Sequence, residues 1–304
     1  MAADDAGTAA NDSSGGPEAA ALGLSGDEKQ SLVERKVTCP FLGPAVIAGR
    51  LGVRHERDRP LASIEEVRRL GNTGGGDLGD VLVVFAQGNH AKMPGTAGTL
   101  DRPVPAGSFS LDLPGSQGSH PGHSGILQGD PSTPGSGRFS QVDLDRLLAH
   151  ATNGRLTHAG VGAFIKENVE RDPDATRFSV RESLKGVVSI LAEAVPAGIS
   201  LLSRAITGRP GQDDDARALL EALTGNARAS NLVGSSGEFG LLFAFLEHKP
   251  ETVRVDGEPT LSVDDVTLMF RDKRLPEGWE TWPKTKAGWV THTLALAHAA
   301  AGPG

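Results

Sequence analysis

The sequence predicts a mainly α-helical protein: a single helical domain over about 36–300, with long Gly/Pro-rich loops. Three observations lead there. Several segments place a capping residue just before apolar residues at helical spacing. Hydrophobic residues make up 38% of 304 residues, enough for one sizeable core. Forty glycines and nineteen prolines gather between the periodic segments and read as loops.

Taken in order, residues 1–25 are mostly Ala, Gly, Ser and Asp and cannot bury enough apolar surface to offset the entropy of ordering. They read as a disordered acidic tail. A short helix is expected over Asp27 to Arg35. Cys39 is the only cysteine, so no internal disulfide can form. Pro40 suits the first position of a helix, and Phe41 to Leu51 are apolar enough to form a buried one. Cys39 would then sit at a helix N-terminus, where unpaired N–H groups and the dipole favour the thiolate, the form that attacks electrophiles or binds metal. The plainer reading of Cys39 is a small buried hydrophobe.

Arg54 to Pro60 reads as a polar link. Ser63-Ile64-Glu65-Glu66 has capping-box spacing and opens a helix through Leu70. Gly71 to Gly76 lacks the lysine and the glycine spacing of a phosphate loop and reads as a flexible turn. Asp80 to Gln87 is a buried strand or helix that periodicity leaves open. Residues 88–138 form a long loop rich in Gly, Pro, Ser and His, of the kind that is functional or disordered.

Ser140 to Ala151 reads as a capped helix with Val142, Leu144, Leu147 and Leu148 on its apolar face. Asn153-Gly154 turns the chain into a second helix, Thr157 to Arg171. This pair lacks the acidic ladder of a calcium loop. Val180 to Ile206 reads as two apolar helices broken by Pro196 and Gly198, and Asp213 to Leu223 as another helix. Gly237 to Leu246 is an apolar helix opened by the carboxylate of Glu238. Either the helix dipole stabilises that acid, or apolar walls raise its pKa for acid–base work. Ser262 caps a short helix through Phe270. Residues 280–304 end in an Ala-rich packing helix, with Trp279, Trp282 and Trp289 as core residues.

Composition limits the function. A net charge of −8 argues against nucleic-acid binding. The apolar runs are too short to cross a bilayer. No secretory signal is visible and one cysteine fits a reducing compartment, so a cytoplasmic location is expected. His120 and His123, with Asp130, offer a possible non-haem metal site, although most such sites need three or four ligands.

Cys39-Pro40-Phe41-Leu42, followed by Gly49 and Leu51, resembles the Cys-Pro-x-Leu…Gly-x-Leu signature of the haem-thiolate peroxidases, the chloroperoxidase and unspecific peroxygenase family (peroxidase family 2). The resemblance implies a haem-peroxidase-like domain, haem b as cofactor and Cys39 as its axial iron ligand. Gln128-Gly129-Asp130-Pro131-Ser132 resembles the family's second motif, Glu-(Gly or His)-Asp-x-Ser. It implies a magnesium ion near a haem propionate, held by the Gln128 side chain, the Gly129 carbonyl region and the Ser132 hydroxyl. Gln128 replaces a charged Glu and weakens such a site, and Gly129 cannot supply the acid–base histidine that some members carry. Glu238, followed by Leu275-Pro276-Glu277-Gly278-Trp279, is similar to the family's catalytic acid on its distal helix. Asn231 stands where an Arg partner is expected, and Arg228 is the nearest Arg. About 180–225 reads as inserted helices.

The function implied is a haem-dependent peroxidase or peroxygenase using hydrogen peroxide on a small organic substrate or halide. Three alternatives stand beside it. One is the His120/His123/Asp130 metal enzyme. Another is a caleosin-like haem enzyme, which the passage from Gly137-Arg138-Phe139 onward resembles. The third is a binding or scaffold protein that kept the fold without catalysis.

Overall fold

Ser63, Ser140 and Ser262 each cap the helix that the sequence assigns to them, their hydroxyls accepting the N–H of Glu66, Asp143 and Asp264. The structure, a computed structural model, describes residues 24–35, 37, 39–56, 59–88, 105–111, 139–171, 181–194, 200, 203–204, 215–225 and 227–302. Its first elements are α1 (Gly26–Arg35), α2 (Leu42–Ile47), β1 (Arg54–Glu56), β2 (Arg59–Ser63), α3 (Ile64–Gly71), α4 (Gly79–Gly88), β3 (Ser108–Ser110), α5 (Gln141–Ala149), β4 (Arg155–Leu156) and α6 (His158–Arg171). There follow α7 (Arg181–Ala194), α8 (Asp215–Gly225), α9 (Ala227–Leu246), β5 (Arg254–Val255), β6 (Glu258–Pro259), β7 (Leu261–Ser262), α10 (Val263–Phe270) and α11 (Lys286–Ala301). The protein is mainly helical, as expected.

The centre is a stack of α6, α9 and α11. Along α9, Gly240 lies so close to α11 that a Cβ there would collide with Thr293. Trp289 of α11 is fully buried, and its Nε1 donates to the Gly237 carbonyl at 3.0 Å. A tryptophan buried with its N–H satisfied contributes on the order of 3 kcal/mol through apolar burial alone. One apolar cluster joins α1, α2, α3, α5, α6, α9 and α10. A second forms where α7 and α8 meet α4, α9 and α11, around Val81, Phe85, Leu191, Leu219 and Trp289.

Three expectations change and one open reading is settled. The Arg54–Pro60 link is strand: β1 and β2 pair antiparallel, and β2 also pairs with β3, aligning Leu61 with Ser110. The partner strand lies within the 88–138 segment, so no local pattern could reveal the pairing. Asp80 to Gln87 is helix α4, its start fixed by Asn72 Oδ1, which accepts Gly79 N–H at 2.7 Å. Val81 and Phe85 face one cluster while Leu82 and Val83 face the other. Burial on two sides erased the helical period that an exposed face would have left.

The Cys39 helix is only six residues long, with Phe41 as its N-cap, and Pro40 precedes the cap rather than opening the helix. Gly49, at φ 69°, breaks the helical path in the left-handed region. Gly74 and Gly76, expected in a flexible turn, are packed against the C-terminal segment. A Cβ on either would strike the backbone of Trp282 or Lys284. Lys284 holds this contact. It is fully buried, and its Nζ donates to the carbonyls of Trp279 and Trp282 (2.8 Å to the latter) and to Thr73 Oγ1 at 3.0 Å. The rings of Phe245, Trp279 and Trp282 surround its ammonium at 5.1–5.5 Å.

Candidate functional site

Cys39 sits in the link between α1 and α2. Its carbonyl accepts the Gly43 N–H at 3.0 Å and so begins the first turn of α2. Its half-buried Sγ accepts the Leu42 N–H at 3.5 Å. Two residues on, Phe41 packs edge-on against Phe245 of α9 (5.1 Å) and Trp279 (5.7 Å), and those two rings stack on each other at 5.9 Å. One aromatic cluster thus joins the Cys39 segment, the Glu238 helix and the Leu275–Trp279 segment.

Glu238 lies mid-helix. It follows eleven residues of α9, so it opens no helix and the dipole reading of this acid fails. Leu241, Leu242 and Phe245 share its face at helical spacing, which puts Glu238 two turns, ~10 Å along the axis, from the ring that meets Phe41. The half-buried carboxylate comes close enough to Cys39 for its charge to act on the thiol.

Lys273 completes the group, and no sequence pattern points to it. It follows α10 at φ 53°, a left-handed conformation uncommon for a lysine. Its neighbours Arg271 and Asp272 pair with each other at 2.7 Å on the outside. Lys273 points inward, 6% exposed, and its Nζ has no hydrogen-bond partner among the described residues. The Phe139 ring lies 5.5 Å away, and Cys39 is within electrostatic reach. Burial lowers the Lys273 pKa to about 8, which leaves it charged at neutral pH.

The thiol behaves contrary to expectation. Burial pushes the Cys39 pKa up, further than the N–H groups of Leu42 and Phe41 and the Lys273 charge draw it down, and Glu238 adds to the rise. A helix of six residues and two amide donors do not outweigh the loss of water. With no metal ion bound, Cys39 is held as the thiol.

A second polar group was missed entirely. Glu247, just past α9, accepts from His292 Nε2 of α11 at 3.1 Å, and His292 Nδ1 lies 2.9 Å from Nε2 of His158 on α6. With His292 donating to the carboxylate, its Nδ1 accepts from His158. Burial and the neighbouring His292 lower the His158 pKa to about 4. Burial works to raise Glu247, but His292, His248 and the Thr285 hydroxyl together outweigh it and the carboxyl titrates below its ordinary value. The only sequence signal was a histidine on the apolar Trp289–Leu296 face of a helix read as packing.

Gln128, Gly129 and Ser132, with His90, His120, His123 and Asp130, lie outside the described residues, as do the side chains of Arg228 and Asn231. Among the described residues no three His, Cys, Asp or Glu side chains are grouped to hold a metal ion, and no helix is long and apolar enough to cross a membrane. Compared with protein-family profiles, with curated proteins and with solved structures, the chain matches none of them.

Proposed function

We propose that the protein is a haem-thiolate peroxidase or peroxygenase that uses hydrogen peroxide on a small organic substrate or halide, with Cys39 as the iron ligand and Glu238 as the acid–base. The observation that carries this reading is the approach of Cys39 and Glu238, which come from distant parts of the chain to within electrostatic reach of each other, their segments joined by the Phe41–Phe245–Trp279 cluster. The donor set fits the cofactor. A thiol that already accepts backbone N–H bonds suits an axial ligand, because the same bonds stabilise a metal-bound thiolate. Metal coordination also removes the proton that burial otherwise holds on sulfur. The buried Lys273 ammonium, which has no hydrogen-bond partner among the described residues, suits a cofactor whose periphery carries carboxylates.

Thiolate-ligated haem supplies the oxidising chemistry, its sulfur ligand favouring O–O cleavage. The chain's own residues do the rest. Cys39 holds the iron from the α1–α2 link. Glu238 moves a proton between the two oxygens of peroxide, which requires a carboxyl in partly apolar surroundings, and Leu241, Leu242 and Phe245 on its helix face provide them. The Phe41–Phe245–Trp279 cluster keeps the two segments in register. Magnesium held by Gln128, Gly129 and Ser132 remains part of this proposal.

The test is Glu238→Gln in haem-loaded protein. The expected result is a fall in peroxide-dependent turnover of roughly 10²–10⁴-fold with haem content and absorption spectrum unchanged. Full turnover in that variant contradicts the role given to Glu238.

A further inference from the structure

We propose that Lys273 is a carboxylate-binding residue of the Cys39 site, its ammonium taking a carboxylate of the largely apolar molecule that binds beside Cys39 and Glu238.

Among the described residues, nothing hydrogen-bonds to the buried Lys273 ammonium. An ammonium buried without hydrogen bonds is strongly unfavourable, and a lysine's long stem normally carries its charge out to water. Here the backbone works the other way. The turn is anchored by Arg271 N–H and Asp272 N–H, both donating to the Thr267 carbonyl, and by Arg274 N–H donating to Leu268. Between these anchors Lys273 takes a left-handed conformation that L side chains disfavour. Its neighbours stay at the surface while it alone turns inward. The Phe139 ring offsets only part of the cost.

The chemistry of the missing anion follows. A lone ammonium offers three donors from one point, which suits a single carboxylate. A phosphate dianion calls for an Arg fork or a run of backbone N–H groups. Cys39 and Phe139 pack against the apolar cluster, so the rest of the ligand is apolar. Two molecules share this chemistry: haem, through a propionate, and an organic carboxylic acid substrate. A ferric porphyrin with a thiolate ligand is neutral at its centre and keeps its net charge on the propionates, where Lys273 would act. The first source rests on the proposed function, and the second does not.

The experiment compares the wild-type protein with Lys273→Met and Lys273→Arg, each checked for folding by circular dichroism. Haem and haem dimethyl ester are titrated while the Soret band is followed. Octanoate and octan-1-ol are titrated into haem-free protein by calorimetry. A preference of the wild type for haem over its ester of tenfold or more, lost in the Met variant and kept in part by Arg, supports the proposal with a propionate as the ligand. A tenfold preference for octanoate over octanol, lost in the same way, supports it with a substrate carboxylate. If haem fails to bind at all, the haem reading falls while the octanoate arm still decides this proposal. An acid preference that Lys273→Met leaves intact overturns it, as does a wild type that prefers the acid in neither arm.

Discussion

Lys273 and Lys284 are both buried, and burial lowers the pKa of each to about 8. Their surroundings differ in kind. Lys284 donates to two carbonyls and a hydroxyl and sits among three aromatic rings. Lys273 donates to nothing among the described residues and touches one ring. The same desolvation therefore has two meanings. A satisfied cation is part of the framework, here the clasp between the Gly74–Gly76 turn and the Trp279–Trp282 segment. An unsatisfied one is a cost that the fold carries for another purpose.

The comparison can be broken most sharply at Lys284. Lys284→Met is expected to destabilise the protein by roughly 3–5 kcal/mol, because it strands two buried carbonyls and removes the clasp. Denaturant unfolding measures this, and a loss below about 1 kcal/mol would mean that the clasp is idle. Next comes the His158–His292–Glu247 chain, where polar groups are buried but fully paired. The unfolded chain protonates its histidine near pH 6.5, while folded His158 resists until about pH 4. Stability is thus full above 6.5, declines by roughly 3 kcal/mol as pH falls to about 4, and then levels for this group. Glu247, held below its ordinary 4.5, adds a further decline below that pH. Unfolding midpoints followed from pH 8 to pH 4 should show the first step, and His158→Phe should flatten it. A wild-type curve that is already flat would contradict the burial of a neutral His158.

Lys273→Met should go the opposite way to Lys284→Met, stabilising the ligand-free protein by about 1–2 kcal/mol, since it removes an uncompensated buried charge. A clear loss of stability would place Lys273 with Lys284 in the framework. The smallest effect belongs to the surface. Arg50 and Glu280 pair at 3.0 Å but are 53% and 39% exposed, so Arg50→Ala should change stability by less than ~0.5 kcal/mol. A larger change would mean that exposed pairs here matter as much as buried ones.

Much of the helical framework was legible because its signals are local. Ser63, Ser140 and Ser262 mark helix starts through their own hydroxyls. Asn153 and Gly154, both at positive φ, turn the chain where an Asn-Gly pair should. The failures are non-local. β2 could not be read without β3, and α4 hid its period by being buried on two faces. Glu238 was found as a residue but misplaced as a helix opener, because the preceding polar half of α9, Ala227 to Ser236, gives no continuous apolar signal. Cys39 was located at the start of α2, yet its pKa direction was misjudged, since burial by Phe41 and its partners is a tertiary property. Lys273 and the His158–His292 pair were invisible for the same reason: a charged residue in sequence gives no hint that the fold will close over it.

The central claim is that Cys39 binds haem iron as a thiolate, and the most direct test is the absorption spectrum of protein reconstituted with haem, reduced and exposed to carbon monoxide. A strongly red-shifted Soret band that Cys39→Ser abolishes is expected, since no other cysteine exists to supply the ligand. An ordinary Soret position, one that survives in Cys39→Ser, or no haem uptake under ample haem would contradict it.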